Sequence, residues 1–141
     1  TPGTEFMKKL NNKILTWCKK QTLHIIYSSS NSPSEGEHKL LQFIRNNMKK
    51  NKNYKYVIYG LDADLIFLGL ATGINDIFLL REAVHLNRNK PTDILNYVWM
   101  EKMRESISET VINMFNKKIE INDKILNKNR IINDFIFICY F

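Results

Sequence analysis

Long apolar runs are missing from this sequence. No stretch approaches the roughly 20 residues needed to cross a bilayer, so no membrane-spanning segment is expected. The opening Thr1-Pro2-Gly3-Thr4-Glu5-Phe6 lacks the basic and apolar regions of a secretory signal. Cysteine is scarce, with 2 in 141 residues. Cys18 and Cys139 stand far apart within apolar helical patterns, which predicts two buried free thiols and no disulfide. No Cys/His cluster has zinc-ligand spacing, so a structural zinc site is unsupported. Internal repeats are absent as well. These absences together predict a soluble, intracellular protein without a membrane partner.

The residues that are present suffice for one domain. A hydrophobic content of 44% with 11% aromatics can fill a core. The net charge of +7 is compatible with a nucleic-acid partner. That signal is weak, because much of the charge sits in Lys/Asn-rich stretches such as 48–53 and 113–130. Such runs are as readily a solvated surface as a track for phosphates.

Phe6, Leu10, Ile14 and Trp17 recur at helical spacing after Pro2 and Thr4, predicting a helix over 4–19. Leu23 to Ser28 is β-branched and apolar, the pattern of a short buried strand. Turn formers fill 29–34, and a helix is expected over about 35–48. Tyr54 to Tyr59 predicts a second strand closed by Gly60, followed by a short apolar helix to Ala71. A third strand is expected at Ile77 to Leu80. Pro91 and Thr92 suit the start of a long helix in which Leu95, Trp99, Met103, Ile107 and Val111 repeat every four residues. Residues 117–130 are polar and predict a loop or insertion, and 131–141 an almost wholly apolar helix. The alternation predicts an α/β fold with a mostly parallel sheet flanked by helices. A metal-site core over about 20–82 and a helical part over about 91–141 are expected. The chain starts without an initiator Met and ends in Phe-Ile-Phe-Ile-Cys-Tyr-Phe, which points to a piece incomplete at both ends and covered by further protein.

Two acidic motifs dominate the chemistry. Glu35-Gly36-Glu37 opens a helix after a Ser/Pro-rich turn, and Asp62-Ala63-Asp64 follows a buried strand. Both fall where strands hand over to helices, the place open α/β sheets put their sites. Carboxylates crowded there repel one another and are costly to desolvate, so four of them call for cations. Oxygen donors favour hard ions, which makes Mg²⁺ or Mn²⁺ the natural partner. Two such ions about 3.5–4 Å apart can clamp both oxygens of a phosphodiester displacement. Singly, each motif has a plainer explanation: Glu-x-Glu complements a helix dipole, and Asp64 suits an N-cap. His38 and Lys39 leave the same helix start as Glu37 and are possible accessory residues. His24 is expected to be structural, and His85 carries no signal.

Several blocks resemble the XRN family of 5′→3′ exoribonucleases. Thr1 to Met7 is similar to its TPGTEFM, and Glu35 to Lys39 to its EGEHK. Tyr59 to Ile66 resembles YGLDADLI, Leu79 to Glu82 resembles LLRE, and Arg130 to Phe135 resembles RIIDDF. The blocks keep the family's order over nearly the whole chain. The resemblance implies a PIN/flap-endonuclease-like nuclease core. It also implies hydrolysis of RNA from a 5′-monophosphate end to mononucleotides with divalent metal. The family's metal-ligand positions fall on Glu35, Glu37, Asp62 and Asp64. Ser34 departs from the family's usual Gly, Asn133 from an Asp and Ala83 from a Glu. The family carries further metal-binding aspartates in an N-terminal segment and in a Gly-Asn-Asp motif. Those segments and the basic 5′-phosphate pocket lie outside this sequence, so the isolated chain is expected to be inactive.

Two competing functions follow. One is a catalytically incomplete nucleic-acid-binding or assembly fragment, its site completed by other nuclease segments or another chain. The other takes Asp62-x-Asp64 as the nucleophile motif of a haloacid-dehalogenase-type phosphatase. That fold wants a later Lys and a second acidic pair after another strand; neither stands out, and Glu35-Gly36-Glu37 is left unexplained.

Overall fold

The computed structural model describes residues 3–50, 53–83, 94–116 and 127–140. The chain divides into two compact units, Thr1–Phe43 and Ile44–Phe141. The division falls inside one helix, α2 (Gly36–Lys50).

In the first unit, α1 (Glu5–Cys18) starts where Thr4 takes extended backbone and its side chain accepts from the Met7 N–H. A hydroxyl there satisfies one of the orphan donors of the first turn. The predicted stripe on α1 is largely uncovered in this chain, with Phe6 70% and Trp17 58% exposed. A buried side chain on this helix is polar: Asn11 donates to Ser30 Oγ at 2.9 Å and accepts from the Tyr27 hydroxyl at 2.6 Å. These bonds tie α1 to the chain that leads into α2 (Gly36–Lys50).

That leading chain corrects one expectation. Leu23 to Ser28 is not a strand, and Leu23 and Ile26 are exposed. A strand needs a partner to satisfy its backbone, and none pairs with it among the described residues. His24 is accordingly exposed and outside regular structure. The turn after it ends at Ser34, whose φ of 80° lies in the left-handed region. Glycine reaches that region freely, whereas a Cβ makes it costly.

In the second unit, β1 (Tyr56–Tyr59), α3 (Asp64–Ala71) and β2 (Ile77–Glu82) form a parallel strand–helix–strand unit, with Tyr56 opposite Ile77 and Tyr59 opposite Leu80. β3 (Leu95–Trp99) then returns antiparallel to β2. The sheet order is β1-β2-β3, so the sheet is mixed instead of mostly parallel. The predicted helix across this region therefore begins only at α4 (Met100–Asn116). Pro91, Thr92 and His85 lie outside the described residues.

The central strand β2 is the most deeply placed, with Ile77 and Leu79 at 0% and 1% exposure. Met100 is fully buried where α4 leaves β3, and its Sδ leaves no room for a side chain at Gly69: a Cβ there would sit 2.9 Å from it. Trp99 stacks on Phe78, ring centroids 5.6 Å apart, and its indole N–H donates to the Asn75 carbonyl at 3.1 Å. α5 (Lys128–Cys139) packs on α3 and α4 through Ile131, Ile132 and Ile136. Asn127 caps it, accepting from the N–H groups of Asn129 and Arg130. Residues 128–130, expected in a loop, are thus its first turn; 117–126 lie outside the described residues. Cys139 is exposed and Cys18 half-buried, so both thiols are free but neither is buried as expected. Among the described residues no helix is long and apolar enough to cross a membrane.

Candidate metal-binding carboxylates

The second acidic pair is built by the end of β1. The ladder continues to Gly60, whose N–H donates to the Leu80 carbonyl at 3.2 Å. A Cβ on Gly60 would run into the Leu65 side chain, which is buried. The chain then turns through Leu61, and Arg81 of β2 donates a guanidinium N–H to the Leu61 carbonyl. Asp62 Oδ1 accepts from the Asp64 N–H at 3.2 Å. Asp64 is the first residue of α3, and Ala63, at the cap position, has helical backbone. The capping carboxylate is therefore Asp62, not Asp64. It covers an orphan N–H and lies beside the positive end of the helix dipole. Both side chains remain exposed at the carboxyl end of the parallel strand pair.

The first acidic pair lies at the start of α2. The Glu35 carbonyl accepts the Lys39 N–H at 3.1 Å, and Glu37 stands in the first turn. Glu35 is exposed and Glu37 half-buried. A Cβ on Gly36, between them, would meet nothing within 4 Å, so the space there is open. His38 Nδ1 lies 3.6 Å from Glu35 Oε2, an ion pair whenever the imidazole is protonated. Lys39 turns away, donating to the Ser29 carbonyl at 3.1 Å.

The structure brings Glu35 and Glu37 together within the first unit, and Asp62 and Asp64 within the second. Within neither unit do three or more described His, Cys, Asp or Glu side chains gather as a metal cage. In each unit the donors are hard carboxylate oxygens, exposed except for the half-buried Glu37. Such a set fits Mg²⁺, which keeps several waters and is held through one or two carboxylates.

Sequence reasoning missed the residues that hold this loop. Arg81 is one. Another is Tyr59, whose hydroxyl donates to Glu82 Oε1 at 2.6 Å across the same strand pair. The Glu82 carboxylate, by its hydrogen bond and then its charge, raises the Tyr59 pKa above the usual phenol value. The available signal was the pairing of β1 with β2, which places the Leu79 to Glu82 block beside the aspartates.

The second unit is thus an α/β arrangement with an acidic pair, Asp62 and Asp64, just outside the carboxyl end of a parallel strand. Comparison with known proteins makes the assignment specific: residues 1–83 match the family described as XRN 5′-3′ exonuclease N-terminus, and the chain belongs to that family. It is 34% identical to a 5′-3′ exoribonuclease 2 of Debaryomyces hansenii over all of this chain and 17% of that protein. It is 37% identical to 5′-3′ exoribonuclease 1 of Saccharomyces cerevisiae over 99% of this chain and 10% of that protein. It is also 43% identical to a Kluyveromyces lactis 5′-3′ exoribonuclease 2, over 74% of this chain and 12% of that protein. The chain thus spans between 10% and 17% of the length of these relatives.

Proposed function

We propose that this chain is part of a PIN-like 5′→3′ exoribonuclease and contributes Glu35, Glu37, Asp62 and Asp64 as ligands for two divalent metal ions, Mg²⁺ or Mn²⁺. The substrate is RNA with a 5′-monophosphate, cut to mononucleotides. The observation that carries this reading is the Asp62-x-Asp64 turn, presented to solvent at the end of β1 and braced by Arg81. The names of the relatives support RNA as the substrate and the 5′→3′ direction. The two free cysteines suit a reducing, intracellular setting.

Bound there, a divalent ion supplies charge stabilisation and a more acidic water. The chain's own residues set where this happens. Asp62 is fixed by the Asp64 N–H through one oxygen, leaving its other oxygen for a ligand. Arg81 and the Gly60 N–H hold the loop against β2. Glu35 and Glu37 would supply one pair of carboxylate donors from the first unit, and Asp62 and Asp64 the other pair from the second. His38, whose Nδ1 lies 3.6 Å from Glu35 Oε2, is an accessory residue of the first pair.

The test is Glu35→Gln and Asp62→Asn in a chain joined to the remaining nuclease segments. Losing several kcal/mol of transition-state stabilisation should lower kcat roughly 100-fold or more, with RNA binding little changed. Near-normal turnover in either variant rejects the assignment.

A second reading is favoured by the pairing of donors in twos: by itself the chain is a binding or assembly fragment that needs other segments for catalysis. Robust degradation of 5′-monophosphorylated RNA by this chain alone with Mg²⁺ would reject it.

A further inference from the structure

At the opposite end of α3 from the aspartates, a cavity of about 210 Å³ is lined by Leu70, Ala71, Gly73, Arg104, Asn129, Ile132 and Asn133. All its residues belong to the second unit. Its lining contains one charged side chain, the half-buried Arg104, and no acidic one. A guanidinium carries five N–H donors in a fixed fork. Here one nitrogen, Nη2, donates to the Leu70 carbonyl at 2.8 Å, while Nε is buried without a partner among the described residues. Arg104 takes part in none of the ion pairs of the described residues.

A half-buried cation with no ion-pair partner in contact among the described residues is unusual, because desolvation is costly unless a partner offsets it. The effect is visible in Arg104 itself: burial pushes its pKa below the ordinary value, and Glu101, one turn back along α4, only partly counters this. The single carbonyl contact is a neutral one at the C-terminal end of α3. It settles one of that helix's orphan acceptors, and Thr72 settles another by donating to Gly69. No other bond from its donors is made among the described residues. Two carboxamides, Asn129 and Asn133, line the same cavity and can each add an N–H donor. The Asn129 and Arg130 N–H groups in the first turn of α5 are already taken by the Asn127 side chain.

We propose that this cavity is an oxyanion site for a phosphate group, with Arg104 as the charged anchor and Asn129 and Asn133 as neutral donors. Planar, charge-assisted donors match phosphate oxygens in geometry and sign. The cavity is small, so it takes the phosphate group and not a whole nucleotide. The phosphate can arrive as a free anion or as a backbone phosphodiester of a nucleic-acid strand. The site does not depend on the metal-ligand reading above.

The experiment is a nuclear magnetic resonance titration of the isotope-labelled chain with inorganic phosphate, against chloride at matched ionic strength. The amides of Gly73, Arg104, Asn129 and Asn133 are expected to shift saturably with phosphate, in the low millimolar range expected of about 4 kcal/mol of binding. Asn133→Asp puts a carboxylate into the lining and leaves the Arg104–Leu70 bond in place. It should weaken binding at least ~10-fold, with the β1 and β2 resonances unmoved. Asn129→Asp makes the same test should Asn133→Asp fail to fold. A second titration with a short 5′-hydroxyl oligonucleotide separates the sources. Shifts of the same amides assign a backbone phosphodiester, and shifts with inorganic phosphate alone assign a free anion. Equal responses to phosphate and chloride, or undiminished binding in both aspartate variants, overturn the proposal.

Discussion

Asp62 accepts a hydrogen bond from the backbone N–H of Asp64, at 3.2 Å, so one candidate ligand also caps the helix that carries the other. Two roles in one carboxylate can be separated by substitution. Asp62→Asn keeps an acceptor oxygen and removes the charge, whereas Asp62→Ala removes both. Asparagine caps about as well as aspartate, and loss of a cap to alanine costs roughly 1 kcal/mol. Chemical denaturation should therefore find Asp62→Asn near wild type and Asp62→Ala clearly weaker. Mg²⁺ affinity should fall in both. Equal stability of the two variants would show that the cap contributes nothing.

Ser34 supplies a second prediction. Its φ of 80° costs a residue with a Cβ about 1–2 kcal/mol. Glycine removes that cost but loses about 0.5–1 kcal/mol through its freer unfolded chain. Ser34→Gly should thus stabilise by roughly 0.5–1 kcal/mol, read as a higher urea midpoint. A lower midpoint would mean the turn is not strained. This also accounts for the glycine that the resembling family places before its EGEHK block.

Asn11 holds the first unit by polar contacts. Asn11→Ala would leave Tyr27 and Ser30 without their buried partner. An unsatisfied buried group costs about 1–3 kcal/mol, and amide exchange in α1 and the turn should accelerate accordingly. Unchanged exchange would place the stability of the unit elsewhere.

The Tyr59–Glu82 bond predicts a pH effect. The folded-state pKa of Tyr59 is raised, so the contribution of the bond is fully present below the unfolded value of 10.0 and is lost as pH climbs through the higher folded value. An ultraviolet titration should show one tyrosine ionising late, and Glu82→Gln should bring it back towards the others. A curve insensitive to Glu82 would remove the interaction.

Much of this structure was legible locally, and the exceptions share a cause. Helical spacing located α1 and α2, and short apolar or aromatic runs located β1, α3 and β2. β3 was hidden because Leu95 and Trp99 are four residues apart. A spacing of four keeps one face of a helix, but being even it also keeps one face of a strand. Leu23 to Ser28 failed the other way: its composition suits a strand, yet strands are made by pairs, and no described segment pairs with it. The acidic motifs stood out as residue types at expected strand–helix junctions, although only Asp62-x-Asp64 follows a strand. Their bracing did not, since Arg81 lies 20 positions from Leu61 and meets it only through the β1–β2 pairing. Arg104 was equally invisible, because its cavity is made by three helices distant in sequence.

Trp99, stacked on Phe78 and bonded to Asn75, also gives the molecule a built-in optical division. The sequence has 2 tryptophans, and they fall one to a unit, Trp17 in α1 and Trp99 at the end of β3. Trp17 is mostly exposed to solvent, whereas Trp99 is stacked against another ring and half-covered by protein. Their emission will differ in colour and in access to quenchers. Replacing either by phenylalanine leaves a single fluorophore, and unfolding of each unit can then be timed on its own.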